Sequence, residues 1–403
     1  MTYPTIMPAL TLDFLNSQQL DPRITFSRSG TATYVDGGVI KTSPANVARF
    51  EEKGLLVEES KTNFRTYSAI TTAELTAYQN KATIVSSTET APDGTVSGVQ
   101  ISNNTGADDS YCWTNFTNYC SVPTTGLICA SIFVKMVSGT EIEIKGGIDN
   151  QGWIAWAGVK VDFTTATPTI TLLGASGQNA LGGDAIPYGN GWWRIWYYID
   201  TADGFNSGNT KAVGVVPRKN GTSAYIWGAQ IEAGSYPTSY IPTSSSTVTR
   251  STDVAEMTAD NFSNWYNSSE GTFFVDTKAP SLTNTVVASL STNGNNRMEI
   301  RSSGSSLTDS RFVVVESAAT QFNSNITNNN TYRNLALGYK LNNANAAANG
   351  TLGTLDTTFS VPAVDNLYLG NNMFATTQRP GHISRISYYN ERLADSQLTL
   401  LTS

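Results

Sequence analysis

Short runs of alternating polar and apolar residues, each closed by Gly, Asn or Pro, fill this chain almost from end to end. They leave little room for anything but strands. In Ile128-Cys-Ala-Ser-Ile-Phe-Val-Lys135, Cys129, Ser131 and Phe133 fall on one face, and Ala130, Ile132 and Val134 on the other. Glu141-Ile-Glu-Ile-Lys145, Gly191-Trp-Trp-Arg-Ile-Trp-Tyr-Tyr198 and Ala224-Tyr-Ile-Trp-Gly-Ala-Gln-Ile-Glu232 continue the pattern. So do Gly271-Thr-Phe-Phe-Val-Asp276, Thr285-Val-Val-Ala-Ser-Leu290, Arg297-Met-Glu-Ile-Arg301 and Arg311-Phe-Val-Val-Val-Glu316. Only the residues from Leu393 onward read as a helix, and no heptad run supports a long coiled coil. Regular short strands between turn signals predict an all-β chain of tandem sandwiches.

Composition agrees and excludes several functions. Only 14% of the 403 residues are charged, against 18 Tyr, 15 Phe and 8 Trp, which suits strands better than helices or disorder. The length allows two or three domains. A net charge of −7 disfavours nucleic acid, whose phosphates need clustered Lys and Arg. No run of about 18 apolar residues occurs, so no membrane-inserted helix is expected. Met1-Thr-Tyr-Pro-Thr-Ile-Met-Pro8 lacks the basic start and apolar stretch of a signal peptide. The expectation is synthesis in a cytoplasm, with release by another route or none.

Cys112, Cys120 and Cys129 fit neither a disulfide framework nor a zinc spacing. Cys112 and Cys120 would pair if they lie on neighbouring strands; otherwise all three are half-buried thiols. His382 is the single histidine, within an alternating strand pattern, and no Gly-x-Ser-x-Gly elbow accompanies it. It reads as a strand-surface or interface residue.

The opening 60 residues carry words that bear a resemblance. Asp21-Pro-Arg-Ile-Thr-Phe-Ser-Arg28 runs on to Asp36, followed by Ala45–Phe50 and Gly54–Asn63. In that order and spacing they resemble an N-terminal module of tailed-phage structural proteins. Tyr188-Gly-Asn-Gly-Trp-Trp-Arg194, Ile226–Glu232 and Pro237–Pro242 are similar to phage fibre proteins whose middle block is a carbohydrate-binding-module-like jelly roll. Leu335–Lys340, Asn349-Gly350, Asn366–Gly370, Gly381–Tyr389 and a short closing helix resemble a concanavalin A-like (laminin G-type) jelly roll. The resemblance implies three parts: 1–63, a small β-rich docking and assembly segment; 64–250, the first jelly roll; and 251–403, the second. It also implies a homotrimer held to other virion proteins on a phage particle. No catalytic or binding position carries over from it.

Sugar recognition needs flat aromatic faces for C–H surfaces and amide or carboxylate groups for hydroxyls. Trp153 and Trp156, flanked by Asn150 and Gln151, are the candidate carbohydrate contacts, with core packing as the alternative for both. Trp192 and Trp193 must point to opposite faces, and Trp193 and Trp227 are expected in the core. A structural calcium would draw on Asp108, Asp109, Asp149, Asp184, Asp200 and Asp203, although no EF-hand loop is present. Glycoside hydrolysis needs two carboxylates across a sugar. Glu141 and Glu143 share a strand face, which more often marks a solvated edge, and residues 271–403 carry no Glu-x-Asp-x-x-Glu strand. The expected function is therefore non-enzymatic: a phage tail-fibre or spike subunit binding host-surface glycans. The alternatives are a purely structural capsid or tail decoration protein and, behind it, a polysaccharide depolymerase.

Overall fold

The computed structural model describes residues 6–403 except 78, 87–88, 105–110, 114–121, 124, 150–155, 176–177, 202–209, 218–220, 279–284, 303–308, 328–331 and 372–380. The described chain is built of antiparallel strands with four short helices, and it divides into two compact units. The C-terminal unit comprises Met1–Thr31, Ser43–Ser60 and Ser251–Ser403; the middle unit comprises Ala32–Thr42 and Lys61–Arg250. Among the described residues no helix is long and apolar enough to cross a membrane.

In the C-terminal unit, one sheet runs Thr351–Leu352, Asn343–Ala348, Tyr332–Lys340, Glu270–Lys278, Gly381–Tyr389, Gly54–Val57, Arg49–Glu51. Leu10–Asp13 shares the edge of Gly381–Tyr389 with Gly54–Val57. The second sheet runs Thr25–Ser27, Val254–Thr258, Asn366–Leu369, Thr285–Asn293, Asn296–Ser302, Asp309–Glu316, Ala319–Thr327. Period two then sorts the side chains. Phe273 and Val275 join Leu12, Leu290, Ile300, Phe312, Leu337 and Ile386 in the core between the sheets. Phe274 points the other way and, with Ala336, Ala347 and Tyr389, packs against Leu393, Leu398 and Leu401 around the closing helix Asp395–Thr402. Each phenylalanine so buried contributes about 1.5–3 kcal/mol.

Gly271 shows how tightly that core is filled. A Cβ there would fall on the Tyr388 hydroxyl and within 2.9 Å of the Tyr339 hydroxyl. Those two hydroxyls share a hydrogen bond of 2.8 Å, and the Tyr388 O–H also reaches the Asn267 carbonyl at 3.1 Å. Gly271→Ala is expected to cost about 1–3 kcal/mol through overpacking. Urea denaturation of the variant checks this, and an unchanged midpoint would overturn it.

The N-terminal words are spent on this unit's interior. Arg28, Arg49 and Glu58 each come from one of them, and all three converge on Asp253. The Arg28 Nη1 lies 3.0 Å from Asp253 Oδ1, and Arg49 Nη2 lies 2.5 Å from Oδ2. Arg49 Nη1 also meets Glu58 Oε2 at 2.7 Å. The Glu58 N–H donates to Asp253 Oδ2 at 2.8 Å, and Arg28 Nη2 donates to the carbonyls of Pro44 and Val47. Two guanidinium groups and two carboxylates thus meet in a buried cluster.

The expected three-part division differs from this arrangement. Among the described residues of 1–63, Leu10, Leu12, Phe14, Leu55 and Val57 enter the C-terminal unit's core. Ala32–Thr42, carrying a two-stranded ribbon of Ala32–Asp36 and Val39–Ser43, groups instead with the middle unit. Burying these apolar residues requires strand partners that lie more than 300 residues away, as in the pairing of Leu10 with Tyr388.

The middle unit is also a two-sheet sandwich. Its six-stranded sheet runs Gly182–Gly189, Trp192–Asp200, Leu127–Ser138, Ser223–Ala233, Val99–Ser102, Thr83–Ser86. The seven-stranded one runs Gln178–Asn179, Thr169–Ala175, Trp156–Asp162, Glu141–Asp149, Thr210–Val216, Tyr111–Trp113, Gln79–Asn80. Ala130, Ile132, Val134, Ile142, Ile144, Val159, Val161, Ile195 and Ile226 fill the space between. The outer face of the six-stranded sheet carries a second apolar cluster of Ile40, Ala91, Phe133, Trp192, Trp227 and Tyr240.

Candidate aromatic binding face

The strand Trp192–Asp200 turns Ile195, Tyr197 and Ile199 into the middle unit's core, with Trp193 packed partly buried against it. Alternation therefore puts Trp192, Arg194, Trp196, Tyr198 and Asp200 on the sheet's outer face. Trp192 and Arg194 are buried there. The Trp192 indole N–H donates to the Thr90 carbonyl at 3.0 Å. Arg194 donates from Nη1 to the Thr238 carbonyl at 2.5 Å and from Nη2 to Ser131 Oγ at 3.0 Å, with its guanidinium 5.2 Å from the Phe133 ring centre.

Further along, Trp196 and Tyr198 are only half buried, and their rings stack at 6.3 Å between centroids with 24° between planes. Tyr198 lies opposite Gly182 on the edge strand, and a Cβ at Gly182 would strike the Tyr198 ring. The missing side chain lets that ring lie against the backbone. Opposite Trp196 stands Asp184, exposed, with one carboxylate oxygen accepting the Ala185 N–H at 2.7 Å. The Trp196 Nε1 is shielded from solvent and has no hydrogen-bond partner among the described residues. Burying that donor unmet costs free energy, so an acceptor brought to the ring would be favoured. Together the face offers two adjacent aromatic surfaces, a carboxylate at their edge and a spare indole donor.

Beside it the chemistry is structural. Glu232 accepts from the Thr238 N–H at 2.9 Å and from the Thr238 hydroxyl at 2.5 Å. Cys129 is a buried free thiol, and burial first, then the Glu232 charge, pushes its pKa well above the ordinary value. It is an inert core residue.

Asn150, Gln151 and Trp153 lie outside the described residues. Trp156 opens the strand Trp156–Asp162, paired with Gly147 and Ala175 in the seven-stranded sheet, not in the sheet that carries Trp196. Trp227 is in a buried cluster and Trp193 packs against the core, on opposite sides of their sheet. Cys120 is outside the described residues, and Cys112 pairs with Val215 and Gln79. Of the calcium candidates, Asp108, Asp109 and Asp203 are outside the description, and Asp184 and Asp200 sit on neighbouring strands. Among the described residues no group of three or more His, Cys, Asp or Glu could hold a metal. Glu143 is buried with its carboxylate 2.6 Å from Lys145 Nζ, and Glu141 stands 3.7 Å from Lys160. His382 is held 2.8 Å from Glu51 Oε2, inside the C-terminal unit.

In the sequence Trp196 stands among the middle block's aromatics open to sugar stacking, with no face assigned to it, and Tyr198 only as part of its strand. The signal that marks them is the apolar register of Ile195, Tyr197 and Ile199, which leaves two further aromatics on the opposite face.

No family model matches the chain, and no curated protein matches it. Among solved structures it is similar to the CBM40 domain of Ruminococcus gnavus IT-sialidase bound to α2,3-sialyllactose. That match has 18% identity over 34% of this chain and 84% of the other, with a TM-score of 0.30. Domain 4 of AbnA, a Geobacillus stearothermophilus GH43 arabinanase in complex with arabinotriose, matches at 16% identity over 42% and 82%, TM-score 0.32. Domains LG4-5 of the mouse laminin α1 chain match at 9% identity over 68% and 85%, TM-score 0.25. Each is a likeness between β domains and assigns no residue a role.

Proposed function

We propose that this chain is a non-enzymatic glycan-recognition protein whose middle unit takes a sugar on Trp196 and Tyr198, with Asp184 accepting its hydroxyls. The observation that carries this is the half-exposed, stacked aromatic pair beside an exposed carboxylate. Aromatic faces cover sugar C–H surfaces, while hydrogen bonds to an ionised group are about twice as strong as neutral ones. Several described carboxylates are engaged internally: Glu143 by Lys145, Glu299 by Arg297 and Arg301, Asp253 by two arginines. They support recognition over hydrolysis.

In its finer form the proposal is a tail-fibre or spike subunit of a tailed-phage virion, trimeric and attached to other virion proteins, binding host-surface glycans. The N-terminal words support this by resemblance. Their most distinctive charged residues, Arg28, Arg49 and Glu58, are consumed by folding, so docking to a particle would use other residues of the same segment. A weak single site becomes useful when several copies engage one surface.

A glycan array including host-envelope polysaccharide, probed with the purified protein, tests the proposal. Selective binding is expected to weaken about tenfold in Trp196→Ala, equivalent to about 1.4 kcal/mol, with a similar loss in Asp184→Ala. Absence of binding by folded protein, or binding indifferent to both substitutions, would move the chain to the class of structural decoration proteins.

A further inference from the structure

A cavity of about 350 Å³ opens in the C-terminal unit, lined by Lys340, Asn343, Leu355, Arg392, Ala394 and Asp395. That volume is within the range of small-ligand pockets. Strand pairing builds it: Lys340 ends one strand, Asn343 begins the next in register with it, and the closing helix starts alongside at Asp395.

Its polar groups are unequally satisfied. Each Asp395 carboxylate oxygen has one partner, Oδ1 accepting from Arg392 Nη2 at 2.5 Å and Oδ2 from Asn345 Nδ2 at 3.0 Å. The Arg392 side chain is only 5% exposed. Its Nε and the Asn343 side-chain oxygen are both shut off from solvent with no partner among the described residues. Lys340 is exposed and makes no ion pair among the described residues. The helix starts on Ala394, which brings no side-chain oxygen to its first amides. Gln397 closes part of that turn, its N–H donating to the Ala394 carbonyl at 2.8 Å and its Oε1 accepting the Ala394 N–H at 2.9 Å, which leaves the Asp395 and Ser396 N–H groups as its unmet donors among the described residues. With two cations and one anion, the lining is net positive, and every unmet donor in it favours an anionic oxygen. The Asn343 oxygen asks for something different, a hydroxyl donor. Leu355, 43% exposed, offers an apolar surface to ring C–H groups.

We propose that this cavity binds a carboxylate-bearing sugar. The carboxylate lies toward Lys340, Arg392 Nε and the helix start, and a ring hydroxyl donates to Asn343. The site is separate from the Trp196 face and does not depend on it.

The test is calorimetric titration of the full chain with glucuronate, N-acetylneuraminate, glucose and acetate. At least one of the two sugar acids is expected to bind, with glucose and acetate markedly weaker. Affinity for that acid should fall about tenfold in Lys340→Ala and in Asn343→Ala, and remain unchanged in Trp196→Ala. Lys340 is exposed, so its replacement leaves the fold intact; urea denaturation of both variants verifies this. Failure of both sugar acids to bind overturns the proposal. So does acetate binding as tightly as the sugar acid, which would mean a bare anion site, or glucose doing so. Equal affinity in wild type and both cavity variants also rejects it. Loss of sugar-acid binding in Trp196→Ala alone would assign that ligand to the aromatic face instead.

Discussion

Asp253→Ala is expected to destabilise the C-terminal unit by about 3–5 kcal/mol, the usual cost of removing one partner from a buried ion pair. Asp253 is completely buried and serves two guanidinium groups at once, Arg28 at 3.0 Å and Arg49 at 2.5 Å. It also accepts the Glu58 backbone N–H. With the carboxylate gone, two buried guanidinium groups lose the counter-charge they share. Such a loss is a large fraction of a typical domain stability of about 5–15 kcal/mol. The cost should hardly change between low and high salt, because buried pairs are poorly screened. Asp253→Asn should recover part of it by keeping an acceptor in place. Hydrogen exchange under graded urea measures the effect in peptides from Tyr332–Lys340, with peptides from Leu127–Ser138 in the middle unit as the internal reference. A shift below about 1 kcal/mol, or one that vanishes in salt, would mean that the cluster contributes as little as an exposed pair.

The same cluster shows what a sequence reading of this chain can and cannot reach. Arg28, Arg49 and Glu58 stand out as words in order, yet their purpose depends on Asp253, which is 225 residues from Arg28. Strand identity was legible because it is local. The alternation of Cys129, Ser131 and Phe133 against Ala130, Ile132 and Val134 survives intact, the second set in the sandwich core. Strand partnership is not local. Nothing in Leu10–Asp13 announces that it will pair with Arg385–Tyr388, so the first 60 residues look separable in sequence and are shared between two units in space. The candidate sites follow the same rule. Trp196 and Tyr198 are two positions apart and could be read from the register of one strand. Asp184 becomes their neighbour only through the pairing of Gly182–Gly189 with Trp192–Asp200. The Lys340 cavity needs a hairpin and a helix start about fifty residues apart to meet, and no local pattern encodes that.

Alkaline pH should unfold the C-terminal unit steeply, through two buried tyrosines and a third packed against them. Burial holds the Tyr266 phenol up to about 12 and pushes Tyr339 and Tyr388 well above their ordinary value. The three pack together: the Tyr266 and Tyr388 rings lie 5.6 Å apart, and the Tyr339 and Tyr388 hydroxyls are bonded at 2.8 Å. In the unfolded chain a tyrosine loses its proton near pH 10. Above that pH the unfolded state binds fewer protons than the folded one, so stability falls as pH rises. The stabilisation is whole below about pH 10 and disappears as the pH climbs through the raised folded values. At about pH 11 each tyrosine costs about 1.4 kcal/mol, so the three together remove about 4 kcal/mol. In the middle unit Tyr240, raised to about 12, and Tyr197, raised further by burial, act in the same direction. Tyrosinate absorbance should therefore rise in two stages: a gradual one from accessible phenols near pH 10, then a cooperative one coinciding with loss of the folded circular dichroism signal. Tyr339→Phe should reduce the pH dependence of the C-terminal unit's stability by about a third, because one of three linked protons is gone. Complete, smooth ionisation near pH 10 with the fold retained would show that water reaches these hydroxyls and that the tyrosine cluster is not the closed interior described above.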